Sequence, residues 1–157
     1  MESPRPRVVI SRCIEFESVR WDGQIISNDF VRALLPHIEA ITVCPEIGVG
    51  LDVPRDPIMI VRVYGEDRLL QPSTGRDLTG EMKEFTKNFL DNLPLIDGFI
   101  MKSGSPSSGI THVKIYAALE NAPVVERGEG MFVRYIKDSF WHLAIEDDDK
   151  LKNAEIR

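Results

Sequence analysis

Short hydrophobic runs alternate along this chain with segments in which hydrophobic positions recur every three or four residues. The runs predict buried strands, because they are short, rich in β-branched side chains and bounded by proline, glycine or polar residues. The predicted strands cover residues 8–11, 40–44, 58–63 and 98–101.

Helical spacing is clearest just after residue 77, where hydrophobic positions lie four, three and four apart and therefore share one helical face. These positions are Leu78, Met82, Phe85 and Phe89. A shorter helix is expected over 27–35, with Ser27 or Asn28 as its N-cap, because Pro36 cannot continue it. A last helix is expected from residue 129 to about 140. Its inward residues would be Phe132, Tyr135, Ile136 and Phe140.

Alternating strands and helices favour an α/β fold with a mainly parallel sheet, helices on both faces and a Rossmann-like three-layer arrangement. The length of 157 residues fits a single domain over 1–157, with its core over about 8–140. Residues 141–157 include the acidic run 146–149 and are interpreted as a solvated tail or the start of a linker.

The net charge, the length of the hydrophobic runs and the cysteine count argue against several classes of protein. The net charge of −6 argues against a general nucleic-acid binder, which usually carries a basic face. The chain contains no hydrophobic run of the roughly 18–20 residues that a membrane-spanning helix needs. Two cysteines are too few for a disulfide scaffold, and they are interpreted as free thiols in a reducing cytoplasm.

Three loops that follow predicted strand ends carry the candidate chemistry. In a doubly wound sheet, loops at the carboxyl ends of the strands could converge on one crevice, and both cysteines would lie there. Two inert core thiols are the alternative interpretation, since free cysteines are often buried. The loops are 11–13 with 19–23, 43–46 with 48–55, and 102–109.

The order of short motifs in these loops resembles the DUF523 family, which includes the thiouracil desulfidases. The motifs are Ser-x-Cys at 11–13, Val-Arg-x-Asp-Gly at 19–23, Val-Cys-Pro-Glu at 43–46, Gly-Leu-x-x-Pro-Arg at 50–55, Gly-x-Asp-Leu-Thr at 75–79 and Lys-x-x-Ser-Pro-Ser-x-Gly at 102–109. The resemblance runs from about residue 8 to 116. Longer relatives carry a second domain, DUF1722, after this one.

The resemblance implies a 4Fe–4S cluster held by three cysteines, with one iron left free to take the sulfur of a thiolated base. Cys13 and Cys44 match two of the ligands, and Ser108 stands at the position of the third. Serine is a harder and less acidic ligand than the thiolates that normally hold such clusters. Four explanations are open. The cluster is labile, another ligand completes it, this branch of the family has lost it, or the serine was introduced into the sequence.

The resemblance also implies roles for the residues around the cluster. Glu46 matches the carboxylate that activates water, and Ser105 matches a serine that assists by hydrogen bonding or proton transfer. Asp22, Lys102 and Ser107 are candidate substrate-binding residues. The alternatives are structural: Glu46 could cap a turn after Pro45, and the serines could bond the backbone of a tight loop.

The leading hypothesis is a desulfidase that removes sulfur from a small thiolated nucleobase or nucleoside by non-redox hydrolysis. The alternative is a cluster-free module that binds a small ligand and has lost activity because of Ser108. A C-terminal DUF1722-like domain or protein could supply RNA contacts. A zinc site is not expected, since His37, His112 and His142 match no metal-ligand spacing.

Overall fold

The computed structural model describes residues 4–153, which form a mixed α/β structure. The strands are β1 (Arg7–Ser11), β2 (Glu39–Val43), β3 (Met59–Val63), β4 (Glu66–Gln71), β5 (Arg76–Asp77), β6 (Gly98–Met101), β7 (Val113–Tyr116), β8 (Val124–Gly128) and β9 (Ala144–Asp147). The α-helices are α1 (Asp29–Leu34), α2 (Pro45–Gly48), α3 (Thr79–Asp91) and α4 (Met131–Lys137), and short 3-10 helices cover Leu35–His37 and Lys150–Lys152. Within residues 4–153, every helix is too short or too polar to cross a membrane.

The first sheet is parallel throughout and has the strand order β2-β1-β6-β9. From β1 the chain passes to β2 on one side, and it then crosses over to β6 on the other side. The direction of winding therefore reverses between β1 and β6, which is the position where open α/β sheets usually bind ligands. Val9 of β1 and Phe99 of β6 pair in register and are both buried, so the centre of this sheet is hydrophobic.

The remaining strands form a second sheet with the order β5-β4-β3-β7-β8. Only β3 and β7 are parallel in it, and its other pairings are antiparallel. The expectation of one mainly parallel sheet is therefore corrected: the strand predicted over 58–63 exists as β3, but it belongs to a mixed sheet. A tight turn explains the antiparallel pairing of β3 with β4, since Tyr64 and Gly65 both have positive φ (49° and 78°). The Rossmann-like three-layer arrangement stays a prediction.

Helices α3 and α4 pack on each other through the hydrophobic faces that the sequence spacing predicted. Leu78 and Met82 are fully buried at the start of α3. The rings of Phe85 and Phe89 lie 6.1 and 5.6 Å from the ring of Phe132 on α4. Helix α4 is shorter than expected, but Phe132 and Ile136 are fully buried, and Tyr135 and Phe140 pack against the same core.

Helix α1 begins and ends close to the predicted positions. Asn28 is its N-cap, and the Asn28 side chain accepts a 3.0 Å hydrogen bond from the backbone N–H of Val31. The last predicted turn continues as the 3-10 helix that contains Pro36. The same Asn28 side chain donates to the carbonyl oxygen of Asp148, so α1 is tied to the end of the described chain.

The interpretation of the acidic run as a solvated tail is wrong for Asp147 and Asp148. Strand β9 pairs with β6 along its whole length, and these two aspartates are only 5% and 2% exposed. Their burial is tolerated because backbone N–H groups satisfy the carboxylates, at 2.7 Å from Lys150 N to Asp147 Oδ1 and 2.7 Å from Ser103 N to Asp148 Oδ1. Residues 1–3 and 154–157 of the predicted domain lie outside the described residues.

Candidate functional site

A pocket of about 370 Å³ opens at the carboxyl ends of β1, β2 and β6, beside the point where the winding reverses. The three loops singled out in the sequence all contribute to it, as expected for a doubly wound sheet. Its lining includes Ser11, Arg12, Cys13, Arg20, Trp21, Cys44, Glu46, Arg55, Lys102, Ser103, Ser105 and Ser108. The chemistry-bearing residues of the chain are therefore concentrated at one edge of the first sheet.

Both cysteines are free thiols in this pocket, and each is 8% exposed. Cys13 follows β1, and burial raises the pKa of its thiol to about 12, with further contributions from Cys44 and Glu46. The nearby cations of Lys102 and Arg20 act in the opposite direction and favour the thiolate. The two thiols interact electrostatically with each other, so they belong to one local cluster.

Cys44 lies at the junction between β2 and α2, where it is the N-cap of the short helix. Its Sγ lies 3.8 Å from Glu46 Oε2 and 3.9 Å from the carbonyl oxygen of Val19. Burial and the charge of Glu46 raise the pKa of the Cys44 thiol, while a hydrogen bond from the backbone of Ile47 opposes this rise. Cys44 and Glu46 are fixed next to each other because both belong to the first turn of α2.

The carboxylate of Glu46 is held by two serine hydroxyls from a distant loop. Ser107 Oγ donates to Glu46 Oε1 at 2.7 Å, and Ser105 Oγ donates to the same oxygen at 3.3 Å. The two serine oxygens lie 3.0 Å apart. Glu46 therefore accepts hydrogen bonds through Oε1, while its other oxygen faces the thiol of Cys44.

The serine loop, defined here as residues 102–109, has a compact turn held by its own side chains. Ser105 Oγ accepts hydrogen bonds from the backbone N–H groups of Ser107 and Ser108 at 3.2 and 3.1 Å. The loop also packs against the start of α4, where Gly130 lies so close to the carbonyl of Ser107 that a Cβ would overlap it. A hydrogen bond of 2.8 Å from Met131 N to Pro106 O completes this contact.

Ser108, at the third-ligand position, lines the pocket with its side chain almost fully buried at 3% exposure. Its Oγ lies 3.5 Å from Ser107 Oγ, at the limit of hydrogen-bond distance. The pocket therefore presents a buried hydroxyl together with the thiols of Cys13 and Cys44.

Lys102 also lines the pocket, whereas Ser107 lies behind it and contacts Glu46. The backbone N–H of Lys102 donates to Ser11 Oγ at 2.9 Å, which joins the ends of β1 and β6. Its ammonium lies 3.4 Å from Asp148 Oδ2.

Asp22 is the one predicted site residue that the structure places outside the pocket lining and the serine loop. Its Oδ1 accepts a hydrogen bond from the backbone of Gln24 at 3.1 Å, which is a typical turn contact. Its other oxygen pairs with Arg20 at 3.7 Å. Because Arg20 does line the pocket, Asp22 contacts the site indirectly, through its ion pair with this arginine.

Sequence reasoning gave no individual role to three of the lining residues, Arg12, Arg20 and Trp21. Arg12 and Arg20, together with Arg55 and Lys102, make the lining cationic, since among its charged side chains only Glu46 is acidic. This charge is opposite to the net charge of −6 of the whole chain. The available signal was a basic residue in four of the five motifs that border the crevice, the exception being Val-Cys-Pro-Glu at 43–46.

Two of the three positions matched to cluster ligands carry the thiols that iron–sulfur clusters prefer, and the third carries the Ser108 hydroxyl, which is a harder and poorer ligand. Two thiolates and a cluster carry negative charge, and the cationic lining offsets such charge. Among the described residues, no three His, Cys, Asp or Glu side chains converge in a way that would hold a metal ion. Cys13, Cys44 and Ser108 all line this pocket and are the candidate ligands for such a cluster.

The fold and the site define a mixed α/β protein with a pocket at the switch point of its parallel sheet, lined by two thiols and an adjacent carboxylate. The family model for 2-thiouracil desulfurase matches residues 8–148, and the chain belongs to this family. The uncharacterised protein YbbK of Bacillus subtilis (strain 168) is 28% identical over 109 residues, covering 65% of this chain and 72% of YbbK. The solved structure of the 4Fe–4S-dependent thiouracil desulfidase TudS superposes with a TM-score of 0.69 at 26% identity, covering 97% of this chain and 95% of TudS.

Proposed function

We propose that this protein is a desulfidase that removes sulfur from thiouracil or a related thiolated pyrimidine by hydrolysis in the pocket at the ends of β1, β2 and β6. Membership of the 2-thiouracil desulfurase family and the similarity to TudS support this activity. The observation that carries the proposal is the position of Glu46, whose carboxylate lies against the Cys44 thiol inside the pocket.

The reaction needs water and no external electrons. A carbon–oxygen bond forms between water and the thiocarbonyl carbon, the carbon–sulfur bond breaks, and the sulfur leaves as hydrogen sulfide. When bound, the cluster supplies a free iron that acts as a Lewis acid toward the thiocarbonyl sulfur. We propose Cys13, Cys44 and Ser108 as the residues that hold it.

Glu46 is proposed as the general base that takes a proton from the attacking water. Ser105 and Ser107 both donate to Glu46 Oε1, and this arrangement orients the carboxylate. Its Oε2 accepts a hydrogen bond from the Cys44 thiol, and we propose that this same oxygen takes the proton from water. A fixed carboxylate of this kind is what general base catalysis requires.

Ser105 is proposed to pass a proton or to hydrogen-bond the substrate, because it both lines the pocket and contacts Glu46. Lys102 is proposed to bind the carbonyl or thiocarbonyl edge of the pyrimidine. Ser107 contributes by holding Glu46, and Asp22 by holding Arg20. RNA contact, a C-terminal partner domain and a cytoplasmic location stay predictions.

A second candidate function is a cluster-free binding module that takes a small ligand in the same pocket. The buried hydroxyl of Ser108 favours it, because a hydroxyl offers iron a poor ligand at neutral pH. The two candidates differ in turnover: both bind the base, but only the desulfidase converts it.

The deciding experiment is anaerobic reconstitution with iron and sulfide, followed by incubation with 2-thiouracil or 4-thiouracil without a reductant. We expect uracil and sulfide to appear in equal amounts. Binding of the thiolated base without release of sulfide, in protein that has taken up iron and sulfide, would overturn the desulfidase proposal. Binding by protein that takes up no iron would support the binding module.

A further inference from the structure

Asp148 connects the end of the described chain to the serine loop. The Asp148 side chain is almost completely buried, and its Oδ1 accepts a 2.7 Å hydrogen bond from the backbone N–H of Ser103. Its Oδ2 lies 3.4 Å from the ammonium of Lys102. One carboxylate therefore holds both the backbone and the charged side chain at the first turn of the loop.

The carboxylate of Asp148 is itself fixed by the fold. Its backbone N–H donates to the carbonyl of Met101 at 3.3 Å, which continues the pairing of β9 with β6. Its carbonyl oxygen accepts a 3.0 Å hydrogen bond from the side chain of Asn28, at the start of α1. Because two elements hold the backbone of Asp148, its side chain has little freedom to follow the loop.

Lys102 is the residue through which Asp148 reaches the pocket. Asp148 does not line the pocket, whereas Lys102 does, and the Lys102 side chain is 17% exposed. Lysine has a long, flexible stem, so its ammonium needs fixed partners if it is to stay in one place. The ammonium has the carbonyl and hydroxyl of Ser103 at 2.9 and 3.1 Å, and Asp148 is its ion-pair partner. Asp149 accepts from the Ser103 hydroxyl at 2.9 Å and also interacts electrostatically with Lys102.

We infer that Asp148 is a positioning residue for the substrate site: it fixes the Lys102 ammonium and the backbone of Ser103 so that Lys102 faces the substrate. This inference rests on the proposed function, since it assigns Lys102 to substrate binding. It also gives the acidic run at 146–149 a function other than solubility. The ion pair is compensated by hydrogen bonds, which a buried carboxylate requires.

Asp147 provides a matched control in the same segment. It is buried like Asp148, at 5% exposure, but its Oδ1 accepts from the backbone of Lys150 within its own segment. The substitution Asp147→Asn therefore changes the same chemistry at the same depth without touching the serine loop. Asp148→Asn keeps the size of the side chain and an oxygen acceptor for Ser103 N–H, but it removes the charge and replaces the oxygen that faces the Lys102 ammonium with an amide NH2 group.

The first measurement needs no substrate. Amide hydrogen exchange of residues 102–105, followed by mass spectrometry, should be at least ~10-fold faster in Asp148→Ala than in the parent, because the acceptor of Ser103 N–H is lost. Asp147→Asn should exchange like the parent in this segment. Equal exchange in parent and Asp148→Ala, with both folded, would overturn the anchoring of the loop.

The second measurement separates positioning from a general structural effect. In the reconstituted enzyme, Asp148→Asn should raise KM for 2-thiouracil about tenfold with little change in kcat, and Lys102→Met should do the same. The double variant should be no worse than Lys102→Met alone, because both changes remove one interaction. If the effects of the two single substitutions on KM multiply in the double variant, the inference is overturned.

Different results would contradict the proposed desulfidase activity and the positioning role of Asp148. A reconstituted parent without turnover would overturn the proposed desulfidase and leave hydrogen exchange to decide the anchoring by Asp148. A parent with turnover in which Asp148→Asn keeps the parent's KM would overturn the positioning role alone. Thermal unfolding of each variant verifies that the comparison is made between folded proteins.

Discussion

Ser107 donates a 2.7 Å hydrogen bond to Oε1 of Glu46, although 61 positions separate the two residues in the chain. Ser107 is completely buried, so this bond is shielded from water. The contact joins the loop after β6 to the helix after β2, on either side of the loop that carries Cys13. It therefore sets the geometry of the pocket and of the carboxylate that we propose as the base.

The first prediction concerns the carboxylate itself. Glu46→Gln keeps the size of the side chain and an acceptor for the serine hydroxyls, but it removes the basic oxygen. We expect turnover of 2-thiouracil to fall by a factor on the order of 10²–10⁴, the usual contribution of a general base. Iron and sulfide content should remain that of the parent. Steady-state release of sulfide measures the effect.

Glu39→Gln is the matched control for this prediction. Glu39 lies at the start of β2, at the opposite end of the strand from the pocket, and pairs with Arg7 on the surface. Turnover in this variant should be unchanged. If Glu46→Gln instead loses iron and activity together, the role of Glu46 is structural. If it keeps full turnover, Ser105 becomes the candidate for proton transfer.

The second prediction concerns the ligand set. Ser108→Cys should increase the iron and sulfide retained after anaerobic reconstitution, toward about four irons per chain, because a thiolate is the ligand that these clusters prefer. Iron and acid-labile sulfide are determined chemically. Ser73→Cys, which adds a thiol at an exposed position, should retain no more iron than the parent. Equal iron content in Ser108→Cys and parent would show either that the pocket does not hold a cluster or that another ligand already serves.

The third prediction is a pH dependence of the chain without cluster. Because burial raises the pKa of Cys13 from 9.0 to about 12, the folded chain holds this proton more tightly than the unfolded chain. The resulting stabilisation is fully present below about pH 9 and is lost as the pH rises toward 12.

Comparison with Cys13→Ala isolates this contribution from other groups that titrate at high pH. The free energy of unfolding, measured by urea denaturation, should fall more steeply with pH in the parent than in Cys13→Ala. If the free energies of unfolding of the parent and of Cys13→Ala fall in parallel, from pH 8 to the highest pH at which both are folded, the Cys13 thiol is not buried and protonated as expected.

The fourth prediction concerns the second sheet, where Asp67 joins β4 to β3 and α4. Arg62 and Arg134 donate to its carboxylate at 2.8 and 2.9 Å. Burial alone would raise the pKa of Asp67, but these hydrogen bonds outweigh it and lower the pKa below 3.8. Asp67→Asn should reduce the free energy of unfolding by roughly 1–3 kcal/mol, the usual range for hydrogen bonds to charged groups.

The pH dependence follows from the direction of this shift. The contribution of Asp67 is present above its unfolded pKa of about 3.8 and is lost as the pH falls through the lower, folded value. The difference between parent and Asp67→Asn should therefore narrow below pH 4 in urea unfolding experiments. Glu66→Gln, which removes an exposed ion pair with Arg68, should change stability by less than ~1 kcal/mol. If Glu66→Gln lowers the free energy of unfolding as much as Asp67→Asn does, the larger stabilising contribution expected of Asp67 is contradicted.

Hydrophobic spacing by itself determined much of the local structure. Buried positions such as Val9 and Phe99 lie in the predicted strands, and Leu78 and Met82 lie on the predicted inward face of α3. Local patterns suffice in these places because strands and amphipathic helices are specified by residues close together in sequence. Strands β4 and β9 were missed because charged residues, such as Asp67 and Asp147, interrupt their hydrophobic pattern.

The motif order also determined the family and the loops that form the site. Cys13 and Cys44 could be placed at one site because each follows a short hydrophobic run, and carboxyl strand ends meet at one edge of a parallel sheet. Glu46 was singled out by the family resemblance. The division of the strands into two sheets was decided only in the tertiary structure, because strand pairing depends on contacts between distant segments.

Tertiary structure alone decided the contacts that give these residues their roles. Nothing in the acidic run indicates that Asp148 is buried beneath Lys102, since an isolated carboxylate would favour water. The pairing of β9 with β6 supplies the N–H donor and the ammonium that make its burial favourable. In the same way, Ser107 meets Glu46 only because the loop after β6 folds back onto α2, so the local sequence names the groups and the fold sets their geometry.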